Sequence, residues 1–490
     1  MTEVTVESAD RTDRADRTDR TDRAHRSGTD RTGEPSAPAA GPFAPAVAPS
    51  APAVGRPGPS AGRPASAPGL PALAPGRAEP TVRRVVPGPD HSHPTVPNPN
   101  TVERARLGYV PVQAGATAEN AGIVAMSLRT VHFVMPGGVD DPSAPSGGNA
   151  YDRRVCLDLP GFGWQVTRHA APGTWPRPDR AAWDGLARTL RDLPDDAVVL
   201  LDGLVACGVP EIVVPEAARL RLAVLVHLPL GDETGLDAAV AADLDGRERA
   251  VLRAVPAVIA TSDWAVRRLV SHHGLAPDRV HVAAPGADIA PLAPGTDGVS
   301  RLLCVAAVTP RKGQHRLVEA LATVRDLPWT CECVGGLGHD PGYVAHLRTL
   351  IERYGLADRL RLTGPRSGAD LDAAYAAADL TVLTSYAETY GMAVTEALAR
   401  GIPVLATDVG GLPEAVGRAP DGGVPGILVP PEDPAALAAE LRGWFGEPDV
   451  RRRLKAAARG RRAALDGWAT TARSLAGVLG RLPETPRRAA

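Results

Sequence analysis

Lysine is nearly missing from this chain of 490 residues, where Lys312 and Lys455 stand against 52 arginines. Drift from lysine to arginine meets few penalties on a surface, so an ammonium kept at position 312 points to a need for a compact charge. Cysteine is scarce too, with five residues scattered mostly inside apolar runs such as RLLCVAAV. That distribution argues for buried free thiols. Cys331 and Cys333 have one residue between them and no second pair, the wrong spacing for a zinc knuckle. No stretch approaches the ~20 apolar residues of a membrane-spanning helix, and the arginine-rich start has no apolar signal-peptide core. A charge excess of either sign is also missing: the formal net charge of −2 leaves no global basic field for nucleic acid and no acidic tail for a basic partner. Together these absences predict a globular protein of a reducing cytoplasm.

What is present divides unevenly along the chain. Aromatics make up 4% while glycine and proline number 51 and 49, much of the proline lying before position 125. Residues 10–26 repeat Asp-Arg with Thr or Ala, and residues 34–80 are dominated by Pro, Ala, Gly and Ser, so no core can form there. Residues 1–125 are therefore read as a disordered extension. Met126 directly precedes the first convincing strand, at 130–135, and a translation start there would leave the domain complete.

From that strand onward, apolar β-branched runs alternate with helical periods, which predicts a doubly wound parallel α/β sheet. Strands are expected at 197–202, 221–228, 257–262 and 279–284, then, after the Pro- and Gly-rich stretch APLAPGTDG at 290–298, at 302–308, 329–334, 359–363, 380–383, 403–405 and 426–430. The break at 290–298 reads as a linker between two Rossmann-like halves.

One segment organises the second half: DLTVLTSYAETYGMAVTEALARGIPVLATDVGGLPEAV, beginning at Asp379. It reads as strand, loop, helix, strand, a parallel crossover whose loop lies at a strand's carboxyl end, where open parallel sheets bind ligands. Glu388 and Glu396 flank the helix entrance. Their spacing alone carries little, because Glu432 and Glu440 repeat it at an ordinary helix start. The context is more informative. Gly391 lets a ligand approach the backbone closely, and free N–H groups around Gly391 and Met392 favour a phosphate. Glu396, about one turn in, is positioned to accept hydrogen bonds from ribose hydroxyls. Two carboxylates around an anion site suggest a nucleotide sugar. Lys312, at the carboxyl end of the 302–308 strand, would meet the diphosphate from the same side.

The run ETYGMAVTEALARGIPVLATDVGGLPE resembles the signature of the retaining GT-B glycosyltransferases of family 4, and CVAAVTPRKG resembles the segment of that family that supplies basic residues to the donor diphosphate. The resemblance implies two Rossmann-like domains facing across a cleft: an acceptor-side domain at 126–295, a nucleotide-sugar donor domain at 296–466, and a last helix and tail at 467–490 that may cross back onto the first domain. It also implies that the loop ending at Gly147 and Gly148 faces the cleft near a helix entrance, the alternative being a plain connection closed by an Asn cap. His227, closing the 221–228 strand, is implied to lie near the donor sugar. Asp232 and Glu233 read as solvated. The family usually carries an arginine five residues before the lysine, and here Ala307 stands there. Arg311 is the candidate replacement.

The expected activity is transfer of a sugar from a nucleoside diphosphate sugar to a hydroxyl-bearing acceptor with retention, using no metal and no other cofactor. Lys312, Glu388 and His227 are the catalytic candidates; Arg311, Gly391, Met392, Glu396, Gly147 and Gly148 are the binding candidates. A GT-B sugar-nucleotide epimerase and a non-catalytic nucleotide-sugar-binding protein are the alternatives. Seven basic residues at 451–462 read as a solvated helix face with a possible attraction to anionic lipid.

Overall fold

The computed structural model describes residues 129–143 and 145–485; the extension at 1–125 and the start at Met126 lie outside the described residues. Two six-stranded parallel sheets organise them. The first contains β1 (Arg129–Pro136), β2 (Trp164–Ala171), β3 (Val198–Asp202), β4 (Arg221–Val226), β5 (Ala257–Ala260) and β6 (Val280–Val282) in the order β2-β1-β3-β4-β5-β6. The second contains β7 (Arg301–Val305), β8 (Thr330–Val334), β9 (Leu360–Gly364), β10 (Leu380–Leu383), β11 (Val404–Thr407) and β12 (Gly426–Val429) in the order β12-β11-β10-β7-β8-β9. Central strands such as β3 (VVLLD) and β10 (LTVL) are buried along their whole length. This is why they read as continuous apolar runs: helices cover both faces of a parallel sheet.

The one strand that hydrophobic patterning misses is β2, WQVTRHAA. It is an edge strand with exposed and half-buried positions, and it is defined by eight residues of parallel register against β1 rather than by side-chain burial. Several predicted strands also stop early, β5 at Ala260 and β6 at Val282 among them. β4 ends at Val226 and β7 at Val305, which leaves His227 and Lys312 on the loops beyond the strand ends.

Asp379, at the head of the organising segment, ties the linker to the second sheet. Its carboxylate accepts from the Thr296 backbone N–H (3.1 Å), the Thr296 hydroxyl (2.6 Å) and the Arg301 N–H (3.1 Å). The helix Trp468–Gly480 packs its apolar face on the first lobe, where Trp468, Leu475, Val478 and Leu479 join one cluster with Val131, Phe133, Leu200 and Leu225. Thr471 donates to Ala284 O at 2.7 Å, fixing its register there.

The basic stretch at 451–462 is only in part the solvated face expected. Arg451, Lys455, Arg461 and Arg462 donate to main-chain carbonyls of Trp444, Gly298, Val416 and Ala399, and Arg452 pairs with Asp449. Four of the seven charges thus close loops, while Arg452, Arg453 and Arg459 remain exposed on the helix face. Among the described residues no helix is long and apolar enough to cross a membrane.

Leu475 is fully buried beneath the first sheet. Leu475→Ala should therefore destabilise the chain by about 2–5 kcal/mol, the range for deleting a buried leucine side chain. Urea unfolding followed by tryptophan fluorescence checks this, and an unchanged midpoint would mean that the helix is not docked in solution.

Candidate active site

The loops at the carboxyl ends of both sheets enclose a cavity of about 420 Å³ lined by residues of both lobes, within the range of small-ligand sites. On the second lobe its floor is the loop after β10. Gly391 adopts φ +100°, and a Cβ there would lie 2.4 Å from Leu412 Cδ2. The helix Met392–Ala399 starts immediately afterwards with no side-chain cap on its first N–H groups. Gly391, Met392 and Ala393 all line the cavity, so these donors face a space where an anion is favoured. The VGG of the signature has a packing reason of its own. Gly411 N–H donates to Glu388 O at 2.9 Å, and a Cβ on Gly410 would fall 1.8 Å from that same carbonyl.

Lys312 ends the short 3-10 turn Pro310–Lys312 that follows β7. Its Nζ donates to Glu388 Oε1 at 2.5 Å, and the Ser385 hydroxyl donates to the same oxygen at 2.8 Å. Burial lowers the Lys312 pKa against the pull of Glu388. Burial would raise the Glu388 carboxyl, but Lys312 and Arg311 outweigh it and hold the group below its usual range. The Glu388 carboxylate therefore stays charged at neutral pH. Arg311 donates to Ala387 O at 3.0 Å, pairs with Glu233 at 3.0 Å, and lies 4.0 Å from Glu388.

Glu233 is exposed, as expected, and also pairs across the cleft with Arg311. Asp232 is likewise held, by Arg268 at 2.5 Å. Arg316 donates to Tyr386 Oη at 3.0 Å and pairs with Glu319 at 2.9 Å. Ala307 lines the cavity, and so does Arg366, which sits just past β9 and pairs with Glu332 at 3.3 Å. Sequence reading passed over Arg366, although its place after the β9 strand in GPRSG was available as a signal.

Glu396 lines the same cavity and accepts from Tyr375 Oη at 2.7 Å. Burial raises its pKa, with the Tyr375 bond and Arg400 acting against the rise.

On the first lobe, Gly147 and Gly148 are the first two residues of the helix Gly147–Asp158. The connection is therefore not closed by an Asn cap. The cap is Ser146, whose Oγ accepts from Asn149 N at 3.0 Å. A Cβ on Gly147 would meet Met392 Sδ at 3.4 Å and one on Gly148 would meet His227 Cδ2 at 3.2 Å, so the glycine pair lets this helix end approach both.

His227 Nε2 lies 2.8 Å from Asp152 Oδ1 and 3.6 Å from Asp202 Oδ2. Neither aspartate was singled out in the sequence. Asp202 closes β3 and had the same strand-end signal as His227; Asp152 sits mid-helix and had none. Burial pushes Asp152 up to about 7 and Asp202 up to about 8, and burial lowers the His227 imidazole. Two buried carboxyls in contact cannot both ionise at neutral pH, so they hold a proton between them. That proton supplies a partner for Asp152 Oδ2, which no other donor reaches.

The lobes meet through Thr389. Its hydroxyl donates to His227 O and its carbonyl accepts from the Ser262 hydroxyl, each at 2.5 Å. Glu414 adds a second contact, accepting from Asp263 N at 3.0 Å and pairing with Arg267 at 2.9 Å.

The shared proton sets a sign for stability against pH. In the folded chain these carboxyls keep protons that an unfolded aspartate loses near ~3.9. The cluster thus favours folding at low pH and loses that contribution as pH rises toward about 8. Asp202→Asn, neutral at every pH, should flatten the fall of Tm between about pH 5 and 8. Parallel Tm profiles for the two proteins would mean that no proton is held there.

Residues 296–461 match the model of the family Glycosyl transferases group 1. A D-inositol 3-phosphate glycosyltransferase of Jonesia denitrificans is 31% identical over 251 residues, 47% of this chain and 58% of that protein. The corresponding protein of Nocardiopsis dassonvillei is 33% identical over 252 residues, 47% of this chain and 57% of that protein. The chain thus spans under three fifths of the length of these relatives. Among solved structures, sucrose-phosphate synthase from Thermosynechococcus elongatus superposes with a TM-score of 0.59 at 22% identity, covering 72% of this chain and 99% of that one. Anabaena Alr3699/HepE in complex with UDP-glucose gives 0.58 at 19%, covering 72% and 100%. The two facing parallel sheets are the GT-B fold, and the second lobe is the part of the chain that matches the Glycosyl transferases group 1 model.

Proposed function

We propose that this protein transfers a sugar from a nucleoside diphosphate sugar to a hydroxyl-bearing acceptor with retention of anomeric configuration. The observation that carries the reading is the shared cavity in which Arg311, Lys312 and the uncapped N-terminus at Gly391 face Glu388 and Glu396. Such a set of donors suits a diphosphate, whose charge grows as the sugar bond breaks.

In this reading Lys312, Arg311 and the N–H groups at Gly391 and Met392 stabilise the departing diphosphate in place of a metal ion. A phosphate oxygen of the leaving group takes the acceptor proton. Glu388 orients donor sugar hydroxyls and Glu396 the ribose. His227, with a neutral imidazole, meets the donor sugar from the first lobe, and the glycines 147 and 148 border the acceptor side. Contacts through Thr389 and the Glu233–Arg311 pair hold the lobes together and exclude water. The name shared by the curated relatives supports glycosyl transfer as the reaction class.

The His227, Asp152 and Asp202 cluster favours a second reading, an epimerase acting on the sugar of a nucleotide sugar, because it offers an acid and base pair beside the cavity. Products separate the readings. A transferase releases nucleotide and yields a glycoside only with acceptor; an epimerase changes the sugar without one; a binding protein does neither. A nucleotide-release panel across UDP, GDP and ADP sugars, with and without candidate polyol acceptors, is the test. Absence of release with every donor, alongside nucleotide-induced thermal shifts, would overturn the transferase reading.

Lys312→Ala should lower turnover about 100 to 1,000-fold, the range for deleting one preorganised donor to developing charge. Arg311→Ala should lose at least ~10-fold. Arg325 is exposed and outside the cavity, so Arg325→Ala should stay within about twofold. Arg311→Ala at full turnover would leave Arg366 as the residue that makes up for Ala307.

A further inference from the structure

The helices Ala238–Ala254 and Asp263–His273, before and after β5, bring together four side chains that the cleft does not use. Asp245 and Glu248 lie about one turn apart on the first helix, and His272 and His273 end the second. Asp245, His272 and His273 each present one ligand atom within 4.8 Å of the others. His272 Nε2 touches Asp245 Oδ1, and His273 Nδ1 lies 4.0 Å from the same oxygen.

An independent observation comes from His273. Its side chain is wholly buried, yet its Nδ1 has no hydrogen-bond partner. The other ring nitrogen, Nε2, is 3.1 Å from Glu248 Oε2. Both Glu248 oxygens also receive the Leu230 N–H, at 3.3 and 3.2 Å. With Glu248 as the acceptor the imidazole donates Nε2–H, and the unpartnered Nδ1 then turns a lone pair toward the Asp245 carboxylate. The 4.0 Å gap is too long for a hydrogen bond. A buried lone pair opposite a carboxylate costs free energy unless a cation lies between them.

We infer that Asp245, His272 and His273 form a binding site for a divalent transition-metal ion of the zinc type, outside the catalytic cleft. Two imidazoles and one carboxylate suit such an ion rather than calcium or magnesium, which take oxygen ligands. Bonds of about 2.0–2.2 Å allow ligand atoms up to ~4 Å apart at one ion. Glu248 behind His273 is the carboxylate that orients a metal-bound histidine. Arg249 Nη2 donates to Asp245 Oδ2 at 2.7 Å and aims the remaining oxygen at the site.

The nearby Arg268 is engaged by Asp232 and does not compete. His272 is about one third exposed and Asp245 one fifth, giving an entry path and a position for water. Gly231 would bring a Cβ only to 3.8 Å from Asp245 Oδ1, so no side chain fills the space from that direction. The ion would brace the Leu230–Asp232 turn through Glu248, and the next residue of that turn, Glu233, pairs with Arg311.

Co2+ titration of the chelator-treated full chain tests this, read by the visible d–d absorption of four-coordinate cobalt and by its loss when Zn2+ is added. His25, His91 and His93 also lie in the chain, so the deciding readout is the difference from His272→Ala, a partly exposed position that leaves the core intact. The expected result is one equivalent of displaceable cobalt that is lost in His272→Ala and in Asp245→Asn. Glu248→Gln should weaken Zn2+ binding about 10 to 100-fold. Zn2+ should raise Tm for the unchanged chain only. No visible bands in the unchanged chain, or the same bands in His272→Ala, would overturn the site.

Discussion

The contact between Lys312 and Glu388 is the constraint on which the cleft depends. Both side chains are largely buried, and two charges taken from water cost several kcal/mol each unless they are paired and hydrogen-bonded. The ammonium, the Ser385 hydroxyl and the neighbouring guanidinium of Arg311 meet that demand around one carboxylate. Removing either partner would leave the other as an uncompensated buried charge. The pair therefore clamps the turn after β7 to the loop after β10, and those loops belong to adjacent strands. A diphosphate entering the cavity would compete with Glu388 for the same ammonium, so the site keeps a cation poised without leaving it unpaired.

The same economy extends across the cleft. Thr389 follows Glu388 and bonds with both His227 and Ser262 of the first lobe. One loop thus carries a charge partner, a lobe contact and the approach to Gly391. Glycine at 410 is required by the carbonyl of Glu388 itself, so the signature's glycines hold the Glu388 loop in place and need not touch a ligand. On the opposite wall, the buried Asp152 and Asp202 hold His227 in one orientation, a polar cluster whose members satisfy one another around a shared proton.

Several expectations failed for a common reason. Asp232 and the whole basic run at 451–462 are expected to be solvated, because charged residues at helix starts and on polar stretches usually are. Asp232 and several of those basic residues have partners far away in the chain: Asp232 with Arg268, Lys455 with Gly298 O, Arg462 with Ala399 O. An arginine-rich chain has long side chains with several donors, and these reach carbonyls that a local pattern cannot reveal. The edge strand β2 failed for a related reason, since main-chain pairing with β1 carries it rather than an apolar run.

The sequence by itself determined the alternation of strands and helices, the break between two halves, and the loop from Ser385 to Gly391 at a strand end. These are local properties: continuous apolar runs where a parallel sheet is covered on both faces, and glycine where a backbone needs φ above zero. It also supplied Lys312, because a rare residue type at a strand end stands out without any contact being known. Only the tertiary structure decided that Asp152 and Asp202 converge on His227, that Arg366 shares the cavity with Arg311, and that Asp245, Glu248, His272 and His273 form one cluster. Those groups come from separate elements whose packing sets their distances, and burial, which depends on that packing, sets their charge.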